Sequence, residues 1–139
     1  MPKSLVIDAS LAMRLILPDR RRAALRARME RWLQEGYELV APDLWLYEMT
    51  SALCKAAFLG LITAEEAEDC LPLVSALAIE LVAADAEQAR LAFVWTQRLN
   101  RAAAYDSFYL ALAESLNCEL WTADRRLHNA VGLPWVQLA

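Results

Sequence analysis

Short apolar runs alternate along this chain with longer stretches in which apolar residues return every three or four positions. Residues 4–8 (Ser4-Leu5-Val6-Ile7-Asp8) form an apolar run ending in a polar turn, which suits a strand buried on both faces. A short helix over 11–17 follows and stops at Pro18. Between 20 and 35, Leu25, Met29, Trp32 and Leu33 recur at i, i+4, i+7 and i+8, the spacing of one helix face, and Gly36 ends that helix. A second strand is expected over 38–41. Pro42-Asp43 then opens a helix with Leu46, Met49 and Leu53 on its inner face, stopped by Gly60.

Thr63 is placed to cap the next helix, over 63–78. Its Glu65, Glu66, Glu68 and Asp69 stand near the start, where the helix dipole favours negative charge, and read as solvated surface. Residues 80–83 form a third strand, and Asp85 caps a helix reaching Leu99. The helix expected over 105–116 carries Tyr105, Phe108, Tyr109, Leu112 and Leu116 as a core stripe. A fourth strand over 119–122, a brief helix after Asp124 and a fifth strand over 135–138 complete the pattern. Short apolar strands alternating with helices predict an α/β fold, a parallel sheet of about five strands covered on both faces. Ligands of such folds gather at the carboxyl ends of the strands.

At 139 residues, with three glycines and five prolines and no flexible linker, one domain over 1–139 is expected. The hydrophobic fraction of 58% is high for this length, so some apolar surface is expected to face a partner, a homodimer or a tight complex. A net charge of -4 argues against holding nucleic acid by bulk electrostatics. Local patches remain: Arg20, Arg21, Arg22, Arg26, Arg28 and Arg31 crowd one segment, with Arg98 and Arg101, and Arg125 and Arg126, in two others. Cys54, Cys70 and Cys118 are widely spaced and odd in number, which fits buried free thiols rather than a zinc knuckle or a disulfide framework. The N-terminus has no basic region leading an apolar run, and no apolar stretch is long enough to span a bilayer; a cytoplasmic location is expected.

Candidate chemistry lies in four acids that this fold would gather at one end of its sheet: Asp8, Glu48, Asp106 and Asp124. Carboxylates held together are costly unless a cation neutralises them, and oxygen-only ligands suit hard ions such as Mg²⁺ or Mn²⁺. Each acid also has a plainer reading. Asp8 could cap the helix after it, although Ser10 is better placed for that task. Glu48 alone would be an ordinary exposed helical glutamate, and Asp106 and Asp124 could each cap a helix.

The stretches Leu5-Val6-Ile7-Asp8-Ala9-Ser10, Pro42-Asp43-Leu44-Trp45-Leu46-Tyr47-Glu48, Tyr105-Asp106-Ser107-Phe108-Tyr109-Leu110-Ala111-Leu112-Ala113-Glu114 and Leu120-Trp121-Thr122-Ala123-Asp124, in this order, resemble the PIN-domain ribonucleases, and among these most of all the VapC toxins. The resemblance spans the chain. It implies a three-layer α/β/α domain and a Mg²⁺- or Mn²⁺-dependent endoribonuclease whose partner is an antitoxin. Carried over by motif, Asp8, Glu48, Asp106 and Asp124 would be the catalytic and metal-binding acids, with Asp124 the most variable of them. Thr122 or Ser10 would orient water or a carboxylate. Arg125 and Arg126, beside Asp124, are candidates for holding RNA. Residue chemistry agrees: His128 is the only histidine, so two imidazoles cannot share the roles of base and acid, and a metal must activate the attacking water. His128 itself reads as structural.

Other classes fit less well. A haloacid-dehalogenase-type phosphoryl transfer wants an aspartate two residues after Asp8, where Ser10 stands. Receiver domains need adjacent acids at the first strand, and nucleotide-binding folds need a glycine-rich loop that three scattered glycines cannot supply. The remaining alternative is a non-catalytic PIN-like module that binds RNA or protein without cutting.

Overall fold

In a computed structural model, described over residues 3–139, strands and helices alternate as the pattern predicts. The order is β1 (Lys3–Ile7), α1 (Ala9–Ile16), α2 (Arg22–Gln34), β2 (Tyr37–Pro42), α3 (Leu44–Phe58), α4 (Ala64–Ala76), β3 (Ile79–Val82), α5 (Ala86–Arg98), α6 (Tyr105–Leu116), β4 (Glu119–Thr122), α7 (Arg125–Val131) and β5 (Val136–Leu138). All pairings between strands are parallel, in the order β3-β2-β1-β4-β5.

Alternation along the strands sorts the core into two layers. Leu5, Ile7 and Leu39 pack on one face against Leu25, Met29 and Trp32 of α2. Val6, Val40, Leu120 and Val136 enter the other cluster, with Met49 of α3, Trp95 of α5 and Tyr109, Leu110 and Leu112 of α6. Helix α1 serves both, giving Leu11 and Leu15 to the first and Ala12 and Ile16 to the second. The result is a three-layer α/β/α fold.

Helix faces differ from expectation in three places. In α3 the buried stripe is Trp45, Met49, Leu53 and Ala56, and Leu46 is exposed. Because the strand runs through Pro42, the helix begins only at Leu44, and the i, i+4, i+8, i+11 series from Trp45 points inward. In α6 the buried residues run from Tyr109 to Ala113 nearly all round, because the helix packs against both the sheet and α5. Tyr105 and Leu116 lie at its two ends and are exposed. Leu33, near the end of α2, is likewise exposed. Among the thiols Cys54 is exposed, contrary to the buried reading, because it follows Leu53 on the outer side of α3; Cys70 and Cys118 are half-buried. Among the described residues no helix is long and apolar enough to cross a membrane.

Candidate functional site

The chain leaves β1 on one side to form β2 and β3, and later returns to the other side as β4 and β5. The carboxyl ends of β1 and β4 therefore form the switch point of this parallel sheet, where folds of this kind place a crevice and a site. The register Ile7 to Trp121 puts the next residue of each strand, Asp8 and Thr122, side by side at that point.

Asp8 is 6% exposed, and its carboxylate is held from three directions. Oδ1 accepts from Ser10 Oγ at 2.7 Å and from the Leu11 amide at 3.0 Å, while Oδ2 accepts from Thr122 Oγ1 at 2.5 Å. Asp8 is thus itself the cap of α1, which begins at Ala9 rather than Leu11. Ser10 lies inside the first turn and donates to Asp8 instead of capping, so the division of labour expected from the sequence is corrected: one carboxylate caps the helix and lines the crevice. Ser10 Oγ also accepts from the Ala123 amide at 3.1 Å, and Thr122 Oγ1 accepts from the Asp124 amide at 2.9 Å. Burial raises the Asp8 pKa from 3.8 to about 6; the bonds from Thr122, Ser10 and Leu11 oppose that rise, and the charge of Asp106 adds to it.

Glu48, one turn into α3, is half-buried, and its Oε1 accepts a 2.6 Å bond from the hydroxyl of Tyr109. Burial raises its pKa, Tyr109 opposes, and the charges of Asp106 and Asp8 raise it further. The Tyr109 hydroxyl is held firmly protonated, by burial first and by Glu48 next. Asp106 lies in the first turn of α6 but makes no cap: Ala104 precedes the helix and no side chain closes its first turn. Its Oδ2 accepts instead from Arg101 Nη1 at 2.8 Å. Asp106 therefore lies close enough to Asp8 and to Glu48 for its charge to act on both.

Asp124 stands apart from this trio. It caps α7, its Oδ1 accepting from the Arg126 amide at 2.9 Å and the Leu127 amide at 3.3 Å, so its carboxylate is turned to the helix start. Its link to the crevice is its own amide, bonded to Thr122. Arg125 and Arg126 are exposed in the first turn of α7. The ring of His128 lies 3.0 Å from the Val136 carbonyl through Nδ1, a structural bond between α7 and β5.

Two residues beside these acids carry other readings in the sequence. Tyr109 reads as core, although it falls three residues after Asp106, the spacing that puts two helical side chains on one face. Arg101 reads in the sequence as one of several scattered basic residues, in the alanine-rich segment just before Asp106, and a spacing of five positions is not one that pairs side chains on a helix.

The donor set is carboxylate and hydroxyl oxygen throughout, and two of its carboxylates are burdened by burial and by like charge. That is the chemistry a hard divalent cation relieves. Among the described residues, no three of His, Cys, Asp or Glu converge closely enough to hold an ion as they stand. Each acid is retained by its own partner: Asp8 by Thr122 and Ser10, Glu48 by Tyr109, Asp106 by Arg101. The set fits such a cation in kind.

The model of the PIN domain family matches residues 5–133. Ribonuclease VapC3 of Pyrobaculum aerophilum is 34% identical over 124 residues, an alignment covering 88% of this chain and 91% of that protein. Among solved structures, VapC20 of Mycobacterium tuberculosis, described as a sarcin-ricin loop cleaving toxin, matches with a TM-score of 0.67 at 14% identity, covering 96% of this chain and 98% of that one. VapBC2 of Rickettsia felis, solved with a DNA fragment from their promoter, matches with a TM-score of 0.70 at 11% identity, over 98% and 97% of the two chains. These two structural likenesses speak for the fold. The family match over nearly the whole length, joined by a relative this similar across nine-tenths of its own, makes the chain a member of the PIN-domain family, within the VapC group.

Proposed function

We propose that this chain is a Mg²⁺- or Mn²⁺-dependent endoribonuclease that acts as the toxin of a toxin–antitoxin pair. One observation carries the reading: Asp8, at the end of β1, is bonded to Thr122 at the end of β4, and Glu48 is bonded to Tyr109, three residues after Asp106 on α6, an arrangement in which the charge of Asp106 raises the proton affinity of the other two acids. The name of the Pyrobaculum relative, a ribonuclease, and the description of VapC20 as a toxin that cleaves the sarcin-ricin loop support the substrate class.

Asp8, Glu48 and Asp106 would hold the cation, with Asp124 contributing from the rim. When bound, the cation would lower the pKa of a water molecule and offset charge on a phosphodiester. The protein's own part is positioning. Ser10 and Thr122 fix both oxygens of Asp8, and Tyr109 fixes one oxygen of Glu48, leaving its other oxygen for a ligand. Arg125 and Arg126, on the exposed first turn of α7, are the proposed contacts to RNA phosphates. The same reading takes residues 1–139 as one cytoplasmic domain that forms a homodimer and binds an antitoxin protein.

A second reading, a non-catalytic PIN-like module, draws on the fact that each acid already has a partner within the chain. Incubating the purified protein with structured RNA, with Mg²⁺ or Mn²⁺ and then with excess chelator, separates the two. Cleavage that stops in chelator supports the nuclease; bound but intact RNA under both conditions supports the module.

A further inference from the structure

Asp106 is the one acid of the four whose partner is a cation. Among the described residues, the Arg101 to Asp106 contact is the only ion pair that any of the four makes. Its placement follows from the chain on both sides. Asn100 adopts the left-handed conformation, with φ 51°, which asparagine tolerates better than most residues. That turn directs the Arg101 amide onto the Thr96 carbonyl at 3.2 Å, closing the end of α5. Across the loop, the buried hydroxyls of Thr96 and Ser107 lie 2.8 Å apart and tie α5 to the start of α6, the turn that carries Asp106.

The pair itself is only partly covered, with Arg101 28% and Asp106 43% exposed. A pair open to water contributes little to stability, so it is readily exchanged. A doubly charged ion attracts a carboxylate more strongly than a single guanidinium does at comparable distance. A guanidinium released there would keep its planar fork of donors, the geometry that matches phosphate oxygens.

We infer that Arg101 is a latch on the site. It neutralises Asp106 in the metal-free protein, gives up that carboxylate when a divalent cation binds, and then presents its guanidinium to an RNA phosphate beside the cation. The inference rests on the metal-dependent ribonuclease reading above. It accounts for acids that lie near one another without converging: Asp106 is engaged elsewhere until the cation arrives.

The test has two arms on the intact protein. Titration calorimetry with Mn²⁺ alone compares wild type, Arg101→Ala, Arg101→Lys and Asp106→Asn. Arg101→Ala should bind Mn²⁺ about two- to fivefold more tightly, the worth of a partly exposed ion pair, because the competitor is gone. Arg101→Lys, which keeps the charge, should stay close to wild type, and Asp106→Asn should bind more weakly. At saturating Mn²⁺, RNA cleavage by Arg101→Ala should show a raised KM with kcat little changed, and a salt dependence of KM shallower by about one phosphate contact. Unchanged or weaker Mn²⁺ binding by Arg101→Ala, or a KM that does not move, overturns the latch. Absence of Mn²⁺ binding in wild type would overturn the metal reading beneath it, a result distinguishable from failure of the latch alone.

Discussion

At the scale of single residues, Asp8 shows how one side chain links folding to the site. Its carboxylate caps α1, ties β1 to β4 through Thr122 and sits where water scarcely reaches. Its pKa near 6 in the fold lies above the unfolded value of 3.8, so the folded state takes up the proton first. Stability from this group is complete below pH 3.8 and is lost as pH rises through 6, by about 3 kcal/mol for a shift of this size. Glu48 shifts in the same direction. In chelator, the stability of Asp8→Asn relative to wild type should therefore improve between pH 4 and pH 7.5, as read by urea denaturation at each pH. A difference independent of pH would mean that the burial of Asp8 carries no such cost. Tyr109 gives a second prediction at this scale. Tyr109→Phe keeps the buried ring but frees Glu48 Oε1, and loss of such an outer partner lowers metal affinity or activity by roughly 10- to 100-fold. Measured Mn²⁺ affinity and cleavage both equal to wild type would show that Glu48 needs no orienting hydroxyl.

At the scale of elements, the helices that carry the acids can be separated from those that only support the fold. Helix α4 begins with a capping box in which the Thr63 hydroxyl oxygen accepts from the Glu66 amide at 3.0 Å and the Glu66 carboxylate accepts from the Thr63 amide at 3.3 Å. None of the four acids lies on it. Thr63→Ala should cost about 1 kcal/mol and lower the melting temperature by a few degrees without altering cleavage, checked by calorimetry and an RNA assay on the same preparation. A fall in activity with no change in melting temperature would contradict this separation. Capping also marks how far the elements were legible in the sequence. Thr63 and Asp85 were readable as caps because each stands just before an apolar period with no rival. At Asp8 and Ser10 two capping types stood two residues apart, and the choice depended on where β1 ended, a matter of pairing with β4. Asp106 looked like a cap, yet the left-handed turn at Asn100 supplied Arg101 instead. The run of strands and helices came through because alternation and helical spacing are local; the inward faces of α3 and α6 came through only in part, Met49, Leu53, Tyr109 and Leu112 being buried and Leu46, Tyr105 and Leu116 exposed, since layers from distant segments decide the rest.

At the scale of the whole molecule, the sheet order gives the site its place. With β1 central and β4 returning beside it, the carboxyl ends of the two strands, the first turn of α6 and the early part of α3 meet at one crevice, and acids from positions 8, 48 and 106 become neighbours. The presence of those acids was legible as a motif in the sequence; their separate partners, and the position of Asp124 as a cap outside the trio, were not, because both arise from contacts between elements. The central claim is that this crevice works by holding a divalent cation against RNA. The most direct measurement is cleavage of a structured RNA by wild type, Asp8→Asn and Asp106→Asn across a Mn²⁺ titration, with product ends identified. The account predicts cleavage by wild type that is abolished in chelator and restored by Mn²⁺, leaving 5′-phosphate ends, and a loss in either variant beyond the roughly 100-fold typical of outer-shell changes. Undiminished cleavage in excess chelator, or full activity in both variants, would contradict it.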